Sequence, residues 1–175
     1  MKKSDILEMP PFFDRYIHQV EDQDLFEAFQ KSQQVLDTIN IGNLQVMGHK
    51  VCAPGKWTVH DILQHIIDNE RIQSYRALRF ARKDSTELPG YEENDFAANA
   101  MASYRNIENI LDELKTLRTS TIQLFRSFSP SAMQSAGICF NTKISVLALG
   151  FMIIGHQVHH LKVIREKYEP LIFLP

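Results

Sequence analysis

The sequence predicts an all-α fold, a four-helix bundle with a long connection between its second and third helices. Three observations carry that expectation. Four separate stretches repeat apolar residues at spacings of three, four and seven, the stripe of a helix that buries one face. Glycine and proline number seven each in 175 residues, too few for a turn-rich β architecture. The four stretches are also similar in length, so each can cover the others around one core. With no repeat and no low-complexity tract, the whole of 1–175 reads as a single domain.

The elements follow in order. Residues 1–22 carry Pro10-Pro11 and Phe12-Phe13. Two prolines cannot sit inside a helix, so this segment is an N-terminal arm whose aromatics pack on the bundle. The first helix runs from Gln23 to Thr38, with Leu25, Phe26, Phe29, Val35, Leu36 and Ile39 in register. From Asn40 to Gly55, three glycines and Pro54 mark a loop. Thr58 caps the second helix and Asp61 favours its first turn. Val59, Ile62, Leu63, Ile66 and Ile67 give its buried stripe, and it should reach about Arg82. The connection from Lys83 to Asn99 contains a turn at Leu88-Pro89-Gly90-Tyr91 and is too long for a tight antiparallel link. It is expected to cross over the end of the bundle. The third helix spans Met101 to Phe128 and stops at Ser129-Pro130; an irregular stretch to Thr142 follows. The fourth spans Lys143 to Tyr168, and its first half is apolar nearly all round, as in a helix surrounded by others.

Composition narrows the function classes. The apolar (44%) and charged (23%) fractions are those of a soluble globular protein. A net charge of −2 gives no electrostatic reason for nucleic acid or an anionic membrane as partner. Cys52 and Cys139 lack metal-ligand spacing and read as free, reduced thiols. No apolar segment follows Lys2-Lys3 as in a secretory signal, and the apolar run Ile144–Gly155 is shorter than the roughly 20 residues of a membrane span. The expectation is a cytoplasmic protein. Met47, Met101, Met133 and Met152 read as core filler, and Trp57 as a partly buried residue at the base of the second helix.

The chemistry lies in the histidines. His156 and His160 stand four residues apart in Gly155-His156-Gln157-Val158-His159-His160-Leu161, so on a helix they share a face. Leu149, Ile153 and Ile164 line up with them, which turns both imidazoles toward the core. Such a pair can grip one metal ion, and a third imidazole would complete a three-histidine site with an open coordination position. His65 lies on the flank of the second helix's apolar stripe. From spacing alone it is either that third ligand or a core histidine bonded to backbone. A zinc-protease motif would place glutamate directly after the first histidine as general base. Here that residue is Gln157, which takes no proton at neutral pH. His159 lies about 60° round the helix from His156, away from His160, and so sits behind a ligand or at the surface. Glu70 falls within the stripe of the second helix, as a general base, a partner orienting a ligand, or an ion pair with Arg71, Arg105 or an arginine of another helix. The ion pair is preferred. His18, His49 and His60 read as surface or loop residues.

These strings resemble those of a known family. Trp57-Thr58-Val59, Ile62-Leu63-Gln64-His65 and Gly155-His156 with His159-His160-Leu161 are similar to the motifs of the DinB-like (YfiT-like) metalloenzymes. Glu70-Arg71, Tyr75-Arg76-Ala77-Leu78-Arg79 and Leu88-Pro89-Gly90 resemble one subgroup, and the likeness extends from about Pro11 to Tyr168. It implies a four-helix bundle with a long second-to-third connection and a divalent metal on three histidines. Carried over, these are His65, His156 and His160, all intact here. Zinc or nickel is the metal expected first, with iron or manganese next.

Three neutral imidazoles would leave such an ion its full charge, enough to acidify water and hydrolyse a small-molecule substrate. The same ion could activate a low-molecular-weight thiol, and the family resemblance extends to thiol S-transferases and a thiol-dependent isomerase. Hydrolysis is the leading expectation because it asks only for water. The reading from another class is a non-catalytic metal- or ligand-binding bundle, with Pro10–Tyr16 as the face of a homodimer.

Overall fold

A computed structural model of the chain describes residues 1–173; residues 174 and 175 of the expected 1–175 domain lie outside the described residues. After a short 3-10 turn the helices are α1 (Asp14–Ile17), α2 (Leu25–Asp37), α3 (Ile41–Met47), α4 (Val59–Ala81), α5 (Glu93–Ala100), α6 (Ile107–Arg126) and α7 (Pro130–Met133). A hairpin of β1 (Ala136–Cys139) and β2 (Thr142–Ser145) then leads into α8 (Val146–Val163). The architecture is the expected four-helix bundle of α2, α4, α6 and α8, with the hairpin a minor addition.

Side-chain caps explain where the long helices begin. Asp24 accepts from the Phe26 amide while its other carboxylate oxygen holds the N-terminal amine at 2.7 Å. Thr58 caps α4 as expected, and Asp61 completes a reciprocal box with it, each satisfying the other's backbone N–H. Asn106 and Ser145 cap α6 and α8. A run from Val146 to Gln157 is buried throughout, which makes α8 the central helix. With its continuation to Phe173 it is long and apolar enough to cross a membrane by length and composition, longer than the run Ile144–Gly155 suggested. Some 67% of the most apolar window is nevertheless buried inside the bundle.

The packing order departs from a simple up-and-down bundle. Both α2 and α4 pack on α6 and on α8, so α2 faces α4, and α6 faces α8, across the core. The connections that cross the bundle are therefore 38–58 and 127–145. The stretch 83–99, expected to cross, instead joins neighbours and folds back on α4 as α5.

Three local expectations are corrected. The loop from Asn40 to Gly55 contains α3, because Asn40 caps it through the Asn43 amide and Gly48, at φ 47°, ends it. Residues 101–106 do not begin the third helix. Met101 adopts left-handed backbone (φ 49°) and is 59% exposed rather than core, and Asn106 starts the helix instead. Residues 136–145 form an antiparallel hairpin pairing Ala136 with Ser145 and Cys139 with Thr142. Its turn residues Phe140 and Asn141 both have positive φ, the geometry of a two-residue hairpin turn.

The apolar core divides into two clusters. One gathers Leu25, Phe29, Phe80, Phe125 and the first half of α8; the other gathers Leu36, Leu63, Ile67, Leu111 and Ile164. Between them, at mid-height, lie the buried polar side chains of α4, α6 and α8.

Candidate metal centre

Two helices meet at that level and bring three imidazoles together. His65 projects from α4, and His156 and His160 from one face of α8. The Nε2 atoms of His65 and His156 lie 3.0 Å apart, and those of His156 and His160 lie 3.1 Å apart. All three residues offer nitrogens within 4.8 Å of one another. His65 and His156 are buried and His160 is half-buried. The donor set fits a divalent ion. Two nitrogens about 2.0–2.1 Å from one tetrahedral centre stand roughly 3.3 Å apart, within a few tenths of an ångström of the separations here.

Electrostatics point the same way. Burial holds His65 down to about 4, helped by the neighbouring His159. Burial and the nearby His65 hold His160 down to about 3. His156, enclosed and flanked by both, is also held well below its ordinary value. All three rings are neutral near pH 7, which is the form that ligates metal.

The walls come from residues whose role the spacing did not show. The Trp57 ring lies 4.8 Å from that of His65. Tyr16 of α1 sets its ring edge-on to His156 at 5.0 Å. Gly155 permits this approach, since a Cβ there would stand 1.9 Å from the Tyr16 carbonyl oxygen. Position 155 stood in the recognised string, but only its contact with α1 explains the glycine. The arm Pro10–Tyr16 thus lies against the centre, although Phe12 remains 43% exposed.

Other candidates fall outside the cluster. His159 is half-buried, its Nδ1 3.3 Å from Gln19 Nε2, and it meets the Tyr16 ring edge-on. Gln157 turns away, donating from Nε2 to the Ser32 carbonyl at 2.8 Å. Glu70 accepts from Arg118 of α6 through both oxygens, at 2.9 and 2.8 Å, with both side chains buried. It is the ion pair expected, with an arginine of another helix, and it is engaged away from the imidazoles. His60 is buried rather than on the surface, stacked on His49 with ring centroids 5.1 Å apart. Cys52 and Cys139 are free thiols.

Two cavities lie near the centre, one lined by an imidazole and the other joined to it through Tyr16, whose ring packs on His156. One of about 280 Å³ is lined by His160, Trp57, Cys52, Asn94 and Tyr168. The other, of about 210 Å³, is lined by Asn69, Gln73, Arg76, Tyr16, Met152 and Asn94 among others. Asn94 of α5 borders both. Asn69, Gln73 and Arg76 follow His65 at four, eight and eleven residues, so all four occupy one face of α4. The sequence signal for it is a polar stripe at helical spacing on a helix that is otherwise buried.

The comparisons with known proteins agree with this architecture. A family model described as the DinB superfamily matches residues 13–164. Among solved structures, the chain is similar to YfiT from Bacillus subtilis, described as a probable metal-dependent hydrolase with an unusual four-helix bundle topology. The TM-score is 0.64 at 18% identity, covering 91% of this chain and 87% of that one. No curated protein matches the sequence.

Proposed function

Because the chain belongs to the DinB superfamily, we propose that it is a metal-dependent hydrolase of a small molecule, with a divalent ion on His65, His156 and His160. The observation that carries this is the convergence of three neutral imidazole nitrogens, with no carboxylate among them, beside a cavity that His160 lines. The description of YfiT supports the reaction class. A divalent ion held by three neutral ligands supplies a Lewis acid and lowers the pKa of water toward neutrality. The protein's own part is to hold the ligands and shape access. Trp57 and Tyr16 fix the rings of His65 and His156 by contact, and Gln157 and Glu70 are occupied elsewhere. Zinc or nickel suits three imidazoles best among common ions.

Purification without a histidine tag, followed by elemental analysis, tests the site. One equivalent of metal is expected in wild type and well under a tenth of that in His156→Ala. Wild type that stays empty after reconstitution with zinc and nickel would sink the proposal. Turnover of esters or amides supports hydrolysis, whereas turnover that appears only with an added low-molecular-weight thiol moves the assignment to thiol transfer.

A further inference from the structure

Arg76 is the unusual residue of the cavity beside the centre. It is 4% exposed, yet its hydrogen bonds go to neutral oxygens, Gln73 Oε1 at 3.2 Å and the Pro89 carbonyl at 2.7 Å. No carboxylate lies within ion-pair distance of it among the described residues. The other deeply buried arginine, Arg118, shows what compensation looks like, with both oxygens of Glu70 on one guanidinium. Burying a cation without a counter-charge is costly, and it is maintained where a ligand brings the missing charge.

A second observation is independent of the first. Asn69 is 3% exposed and its Oδ1 has no hydrogen-bond partner, while its Nδ2 donates to the Tyr91 hydroxyl at 2.9 Å. Turning the amide over leaves the nitrogen unpartnered instead, so either way one polar atom of Asn69 meets no protein group. Both side chains line the same cavity of about 210 Å³, and both share a face of α4 with His65.

We propose that this cavity seats a free carboxylate of the substrate on Arg76, with Asn69 bonding a polar group nearer the imidazoles. The inference rests on the hydrolase reading for the reaction but not for the binding. Asn69 lies one turn from His65, about 6 Å along the axis, and Arg76 three turns, about 16 Å. Side chains on a helix lean toward its N-terminus, so the guanidinium reaches back toward the histidines, as its bond to Gln73 shows. The span left suits a molecule roughly 10 Å long. The substrate class is therefore a carboxylate-bearing amide or ester. Glu92, Glu93 and Arg15 also line the cavity, but these are exposed. Water screens Glu92 and Arg15, burial pushes the Glu93 carboxyl above its usual range, and Arg76 is the most deeply buried charge of the lining.

The probe is hippurate, which carries a carboxylate, an amide and a ring, set against hippuramide, its uncharged counterpart. Calorimetric titration into metal-loaded protein is expected to show hippurate binding at least about tenfold more tightly. Arg76→Met should erase that preference while metal content stays unchanged, and Arg76→Lys should restore part of it. Metal-poor His156→Ala, which leaves the cavity lining intact, should keep the preference. Equal affinity for the two probes, no hippurate binding at millimolar concentration, or undiminished preference in Arg76→Met would overturn the proposal; the last outcome would put the carboxylate on the metal. If Arg76→Met does not fold, the contrast in His156→Ala decides alone. A preference that persists in wild type found to hold no metal would sink the hydrolase reading and leave this one standing.

Discussion

The polar layer between the two apolar clusters has a closed half and an open half, and α4 contributes to both. On the closed side Glu70 pairs with Arg118, Arg118 also donates to the Ser32 hydroxyl, and Gln157 reaches the Ser32 carbonyl. On the open side, Asn69, Gln73 and Arg76 line a cavity, three imidazoles converge with no carboxylate among them, and Arg76 has no counter-charge. The same helix, the same depth and the same residue types are thus arranged to opposite ends. The closed half satisfies its charges internally and is structural. On our proposal, the open half leaves electrostatic demands that a bound species would meet, which is how binding sites come to be less stable than the scaffold around them.

That contrast breaks most visibly at Glu70. Glu70→Leu leaves the Arg118 guanidinium buried without an anion, and removal of one partner from such a pair typically costs about 3–5 kcal/mol. Urea unfolding should show that loss, and Glu70→Leu combined with Arg118→Met should recover most of it, because the double change removes both desolvation penalties. A single variant within about 0.5 kcal/mol of wild type would mean that the closed half is not closed.

How much of this was legible depended on the range of the interaction concerned. The α4 cap was readable because Thr58 and Asp61 lie three residues apart and act on the same turn. The pairing of His156 with His160 was readable for the same reason, being one helical turn. Placing His65 beside them from spacing alone was not possible, since that depends on how α4 meets α8; the family resemblance supplied it. The packing of α2 and α4 on both α6 and α8 has no local signature, so length alone points to 83–99 as the crossing connection rather than 38–58 and 127–145. Strands of four residues in the hairpin offer too few repeats to show a period of two. In α3, Asn40 and Gly48 are good start and stop signals, but the glycines around them favoured a loop. The choice of Arg118 as the partner of Glu70 lies 48 residues away in sequence and needed the fold.

The next effect is acid sensitivity of the open half in metal-free protein. The unfolded chain takes up protons on these histidines near the ordinary value of 6.5, whereas the folded chain does so only near 4 at His65 and near 3 at His160. Between those limits the unfolded state binds more protons, so stability falls as pH drops below about 6.5, by roughly 1.4 kcal/mol per pH unit for each proton. It is flat with respect to these groups above that. Denaturant midpoints of the apo protein from pH 7.5 to 5 measure it, and His65→Phe should make the slope shallower. A midpoint that does not move over that interval would show that the imidazoles are already charged in the fold.

The smallest effect is expected where a buried arginine is simply taken away. Arg76→Met deletes two hydrogen bonds to neutral oxygens, but it also removes a cation held in the interior without an anion, and the cavity lets water reach the oxygens it leaves. The two terms oppose each other, so the change in unfolding free energy should be under about 1 kcal/mol, of either sign. Set beside Glu70→Leu, this is the sharpest form of the comparison: two positions six residues apart on α4, both buried, one intolerant and one indifferent. A loss of about 3 kcal/mol or more in Arg76→Met would mean that its bond to the Pro89 carbonyl braces the chain against α4. The open half would then be scaffold as much as site.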